Sequence, residues 1–183
     1  RDDMARKAGG FYSEGEYDVA PLPSRHAGKR ALELGRSCVL APYRGKRTIE
    51  LLWRGLLAYV RAHDVDVMFG CASLHGANPL AHAQALSYLA HYAPADETWR
   101  VSAREELHTP MRMLARDAFD ARKARDALSP LIKGYLRVGA RFGEGAVVDR
   151  KFNTTDVFVV MPVADIDARY LEFFGGASHR RAA

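Results

Sequence analysis

Residues 31–53 read A-L-E-L-G-R-S-C-V-L-A-P-Y-R-G-K-R-T-I-E-L-L-W, and their reading decides the fold. Leu32, Leu34, Cys38 and Leu40 share one parity, which predicts a strand over 31–40. Gly35 and Arg36 interrupt it, and a glycine inside a strand marks a bulge. After the loop 41–48, Ile49, Leu52, Trp53, Leu56, Leu57 and Val60 fall at helical spacing and predict a helix over 49–62. A helix N-terminus carries unpaired N–H groups and partial positive charge, so it can hold a phosphate. Here Gly45 lets the backbone turn closely, Arg44, Lys46 and Arg47 add full charge, and Thr48 can cap the helix. Two readings stand at this point: an anion site, and an ordinary capped helix with a solvated basic turn.

Working outward, residues 1–30 are polar and turn-rich and read as a connecting segment, with Gly9-Gly10, Pro21, Pro23 and Gly28. Residues 65–73 (VDVMFGCAS) predict a second, buried strand, and a helix runs from Leu80 to Tyr92 after Asn78-Pro79. Trp99–Val101 reads as a short strand and 117–128 as a polar helix. Pro130 opens a further helix, LIKGYLRVGARF, which Gly143 and Gly145 end. Strands at Ala146–Val148 and Val157–Met161 and a last helix from Ala164 to Phe174 complete the pattern. Strand, helix, strand, helix and late strands make an α/β or α+β fold, a mixed central sheet flanked by helices.

At 183 residues the chain supports one sizeable domain, and 48% hydrophobic with 27% charged residues excludes a disordered tail, a fibre or a coiled-coil rod. No apolar run approaches the roughly 20 residues of a membrane span. Cys38 and Cys71 lie in apolar runs without metal-ligand spacing, so no disulfide framework is expected. The seven histidines show no zinc-like arrangement and no carboxylate cluster is visible, so no metal is expected. A net charge of +5 favours an acidic partner. No nucleic-acid motif accompanies the basic residues, so nucleic acid is not the expected partner.

The stretch V-L-A-P-Y-R-G-K-R-T-I-E-L-L-W resembles the acyl-donor motif of the GCN5-related N-acyltransferase superfamily, with Arg47 where the pattern has its second loop glycine. That departure resembles the branch taking acyl groups from acyl carrier protein, which includes acyl-homoserine lactone synthases. A longer match joins L-E-L-G-R-S-C-V-L, K-R-T-I-E-L-L-W, D-V-M-F-G-C-A-S, P-L-I-K-G-Y-L-R-V-G-A and F-N-T-T-D-V. Together these resemble the ornithine-acyl carrier protein N-acyltransferases, the haemolysin-like branch that makes lyso-ornithine lipid. The resemblance runs from about Gly10 to Gly175 and implies a chain lacking its upstream strands, with a core over 31–176 and a tail over 177–183. It implies acyl transfer from the 4′-phosphopantetheine of acyl carrier protein to the α-amino group of L-ornithine, with no tightly bound cofactor. A cytoplasmic protein with loose contact to an anionic inner membrane follows. An acyltransferase for another amine and a non-catalytic lipid-binding module are the alternatives.

The same resemblance assigns Val39, Arg44, Gly45, Lys46, Arg47 and Thr48 to the donor. Glu33 and Arg36 reproduce a Glu–Arg spacing of acyl-homoserine lactone synthases, and Glu33 is expected to take the amine proton. A structural ion pair between the two is the competing reading. Cys71 is expected to be a core thiol, not a nucleophile. Ser73 and Asn78 after the second strand, and Lys133 and Tyr135 of the K-G-Y segment, are the remaining acceptor-side candidates together with Asp149 and Asp156. Ornithine carries a distal ammonium, which Asp149 or Asp156 can meet; turn capping by these residues stays open.

Overall fold

The computed structural model describes residues 5, 7, 9–35, 39–43 and 45–175, with the side chain of Lys46 left aside. A five-stranded sheet runs in the order β1-β2-β5-β4-β3, with β1 Ala31–Glu33, β2 Val67–His75, β3 His108–Thr109, β4 Arg141–Asp149 and β5 Thr154–Pro162. β1 lies parallel to β2, and every other pairing is antiparallel. β2 and β5 pair from Val67 opposite Pro162 to His75 opposite Thr154. Both are central strands covered on two faces, which is why V-F-V-V-M reads as a continuous apolar run.

The helices are α1 Pro21–Arg25, α2 Lys46–Ala62, α3 Ala83–Tyr92, α4 Ala121–Ala127, α5 Pro130–Arg137 and α6 Ala168–Gly175. Asp120 caps α4 by accepting from Arg122 N–H at 2.9 Å and Lys123 N–H at 3.1 Å, and Ser129 caps α5 through Ile132 N–H at 3.3 Å. One face of the sheet buries Met68, Ala72, Leu74, Val157, Val159 and Met161 against Leu57, Leu86, Leu89 and Ile132 of the helices. The other face buries Phe69, Phe158 and Val160 under Tyr17, Val19 and Leu22. Alternation across the strands assigns residues to these two cores.

Several sequence-level boundaries shift. α2 starts at Lys46, not 49, and its N-cap is Gly45, so Thr48 lies inside the first turn and does not cap it. β1 is only Ala31–Glu33, followed by one further bond from Leu34 N–H to the Phe69 carbonyl at 2.6 Å. Residues 36–38 lie outside the described residues. Trp99–Val101 forms no strand; the chain instead makes single bridges, Ser102 to Glu144 of β4 and Ala103 to Tyr17. The helix expected to continue through Phe142 ends at Arg137, because Gly139 takes φ +96° and turns the chain into β4. Arg141 and Phe142 are therefore strand residues.

Candidate functional site

β1 pairs with β2 only opposite Val67–Phe69, while β2 continues to His75. Among the described residues, the β1-side edge of β2 beyond Gly70 has no ladder partner. Gly70 is required there, since a Cβ would collide with the Leu34 carbonyl. Leu34, Gly70, Cys71 and Tyr135 line a small cavity of about 10 Å³ at this junction, with Met68 and Met161. Burial raises the Tyr135 hydroxyl above its ordinary pKa, and its ring meets Trp53 edge-on at 6.0 Å. The chain then passes through the turn Ala41–Tyr43 to the N-terminus of α2, where Gly45 and Arg47 are exposed and Val39 and Thr48 are half-buried. Arg36 and Arg44 lie outside the described residues.

Glu33 stands at the end of β1 and is bound to the 3-10 turn Tyr12–Gly15. Its Oε2 accepts from Tyr12 N–H at 2.9 Å, and its Oε1 accepts from Ser13 N–H at 2.7 Å and Ser13 Oγ at 2.6 Å. Three of the roughly four acceptor positions of a carboxylate are thus filled. The Cys71 thiol donates to Ser13 Oγ at 3.6 Å, and also lies against Glu16, the residue that ends the turn. A chain of polar groups therefore runs from Glu33 through Ser13 and Cys71 to Glu16.

At its far end, Glu16, Asp149 and Asp156 each bring a carboxylate oxygen within 4.8 Å of the others. Ser73 pairs with Asp156 across β2 and β5, and Asp149 pairs with Thr154 across β4 and β5, so the strands set this spacing. Asp156 is 6% exposed, and its Oδ1 has no hydrogen-bond partner; Glu16 Oε2 and Thr154 Oγ1 are buried in the same condition. Burial is the largest cause raising the Asp156 carboxyl, opposed by the adjacent Ser73 and Thr154 hydroxyls and reinforced by Asp149. Burial likewise raises Glu16, with Asp156 adding to it. Burial drives the Cys71 thiol far above its ordinary range, and Glu16 adds to this, which keeps it protonated at neutral pH.

Other sequence candidates sit apart. Asn78 caps a 3-10 turn by accepting from Leu80 N–H at 3.1 Å. Lys133 donates to the Asp126 carbonyl at 2.9 Å and lines a separate basic pocket with Tyr88, Arg125, Arg137 and Arg141. Asp149 caps the hairpin turn, its Oδ1 accepting from Lys151 N–H at 2.7 Å and Phe152 N–H at 3.0 Å, and the residue also joins the carboxylate group. Glu16 escaped the sequence reading. It belongs to a polar turn, S-E-G-E-Y-D, whose partners lie far along the chain, and no local pattern marks it.

Residues 1–54 match the acetyltransferase (GNAT) domain family. The chain is 52% identical over 180 residues to the L-ornithine N(alpha)-acyltransferase of Rhizobium meliloti, covering 98% of this chain and 61% of the relative. It is 53% identical over the same length to that of Agrobacterium fabrum, again 98% and 61%. With that of Rhodobacter capsulatus it shares 45% over 174 residues, 95% of this chain and 66% of the relative. The chain thus spans about three-fifths of the length of the first two of these curated relatives. No solved structure matches it. Over the segment it covers, the chain is similar to the L-ornithine N(alpha)-acyltransferases, and its mixed sheet flanked by helices fits a fold of the acetyltransferase (GNAT) kind.

Proposed function

We propose that the full gene product transfers a 3-hydroxyacyl group from acyl carrier protein to the α-amino group of L-ornithine, the first step of ornithine lipid synthesis. One observation carries this reading: among the described residues the β1-side edge of β2 beyond Gly70 has no ladder partner, and Cys71 on that strand shares Ser13 with the Glu33 carboxylate, upstream of α2 in the sequence. An extended chain bearing amides, as phosphopantetheine does, can add to a free strand edge. Its phosphate is suited to a helix N-terminus carrying Arg47, with Arg44 and Lys46 as further cations.

In this reading the neutral amine attacks the thioester carbonyl, a C–N bond forms, the C–S bond breaks, and the carrier thiol leaves. Glu33 takes the amine proton at its remaining acceptor position, with three donors holding the carboxylate in place. No acyl-enzyme is formed, in keeping with the protonated state of Cys71. No helix of the described residues is long and apolar enough to cross a membrane. The protein works in the cytoplasm and touches the anionic membrane surface loosely, through bases such as Arg122, Lys123 and Arg125 on α4.

The test is direct: incubate the full gene product with 3-hydroxyacyl carrier protein and ornithine, and seek N-acylornithine by mass spectrometry. Product from homoserine lactone precursors or another amine alone would replace the acceptor. Binding of the carrier without any product would make the protein a binding module.

A further inference from the structure

Three carboxylates gathered at a partly buried point repel one another unless something positive, or a proton, lies between them. The Glu16, Asp149 and Asp156 oxygens lie within 4.8 Å of each other, and no basic side chain of the described residues bonds to any of them. Asp156 is the decisive member: it is 94% buried on a central strand, one of its carboxylate oxygens joins the group, and its Oδ1 has no hydrogen-bond partner. A buried acceptor left unsatisfied is costly, and a fold that keeps one is shaped for a donor it does not itself supply.

The spacing fits a primary ammonium. A primary ammonium donates three N–H groups near tetrahedral angles to oxygens about 2.8 Å away, which sets those oxygens about 4.6 Å apart. Three carboxylates with the Ser73 and Thr154 hydroxyls also offer oxygens enough for a divalent cation, so the calcium arm of the test below decides between the two. We propose that Glu16, Asp149 and Asp156 form a pocket for the distal ammonium of a diamino-acid acceptor, and that this pocket selects such acceptors over neutral ones of equal length. The inference rests on the acyl-transfer reading only in making the alkylammonium part of an acceptor. Glu16 and Asp156 hold the charge, and Asp149 is fixed by its turn so that one carboxylate keeps its place.

Two measurements on the full gene product test it. The first compares kcat/KM for ornithine and for norvaline (the same chain without the terminal amine) in the unmodified protein and in Glu16→Gln and Asp156→Asn. Ornithine is expected to be preferred about 10²-fold or more, and each substitution should cut that preference at least tenfold, mainly through KM. The second follows the melting temperature in propylammonium chloride, in sodium chloride of equal ionic strength, and in calcium chloride. Propylammonium should raise it above the sodium value, and both variants should lose that rise. Should Asp156→Asn fail to fold, Glu16→Gln, in a half-buried turn, carries the comparison. Equal use of ornithine and norvaline overturns the pocket while leaving acyl transfer intact. If neither is acylated but propylammonium stabilises as expected, acyl transfer fails and the ammonium pocket stands. Stabilisation by calcium alone, lost in both variants, overturns the proposal in favour of a metal.

Discussion

Ser13 gives both its backbone N–H, at 2.7 Å, and its hydroxyl, at 2.6 Å, to the same Oε1 of Glu33. The double contact clamps the turn Tyr12–Gly15 onto the end of β1, and Glu16 closes the other end of that turn. The proposed proton acceptor and the proposed acceptor pocket are therefore mechanically joined. The partner of Glu33 among the described residues is a backbone turn, which neither sequence reading of this residue contained.

Glu33→Gln should report on both parts. The amide keeps one acceptor oxygen, but its NH₂ confronts either Tyr12 N–H or the Ser13 donors, so stability should fall by about 1–3 kcal/mol. As proton acceptor, Glu33 should also account for a kcat loss of roughly 10²–10⁴, narrowing at high pH where more amine is already neutral. Urea unfolding and a pH–rate profile separate the two. Full activity per folded molecule would remove the base role.

The raised carboxyls of Glu16 and Asp156 fix the sign of a pH effect on the unliganded protein. Between the ordinary range near 4 and their raised folded values, the native state holds more protons than the unfolded one. Stability is thus fully present at the acid end of that window and falls as pH rises through it. Asp156→Asn should flatten the fall, and ornithine should restore stability at neutral pH. Melting temperatures from pH 4 to 8 would show this; an unchanged slope in the variant would contradict it.

Cys71 is held protonated by burial, so it should resist iodoacetamide in the folded protein and react once unfolded. Cys71→Ala should keep kcat within roughly tenfold, as expected for a residue that carries no acyl group. Intact-mass analysis during turnover gives the complementary readout, and a trapped thioester on this chain would be decisive against direct attack.

Gly70→Ala places a methyl against the Leu34 carbonyl. The strands must separate to admit it, and overpacking of this kind costs about 1–3 kcal/mol. Loss of the β1–β2 contact should show as faster exchange of the Leu34 amide, which bonds to Phe69. Donor KM is the second readout, because the altered edge belongs to the proposed donor groove.

Much of this architecture was legible in the sequence. β2, β5 and α3 follow from their apolar runs and spacing, whereas Lys46 and Arg47, expected in a loop, open α2 instead. The start of β4 was not legible, because L-I-K-G-Y-L-R-V-G-A-R-F keeps a helical rhythm past Gly139, and only the positive φ of that glycine breaks it. Ser73, Asp149 and Asp156 were found as candidates, yet their meeting depends on strand register, which no local pattern encodes. Glu16 is brought to them by contacts distant in sequence: Arg104 N–H donates to its carbonyl at 2.9 Å, and the neighbouring Tyr17, 1% exposed, donates its hydroxyl to the Asp156 carbonyl at 2.9 Å.

That Tyr17 hydrogen bond spans 139 positions of sequence. Closing so long a loop loses chain entropy that only the finished sheet offsets, so this anchor belongs among the last contacts to form. By the same reasoning Glu16 should join Asp149 and Asp156, which share one hairpin, late in folding. The proposed acceptor pocket should consequently be complete only in the finished fold, and a fluctuation that undocks the early segment should disrupt it before it disturbs the helices on the opposite face.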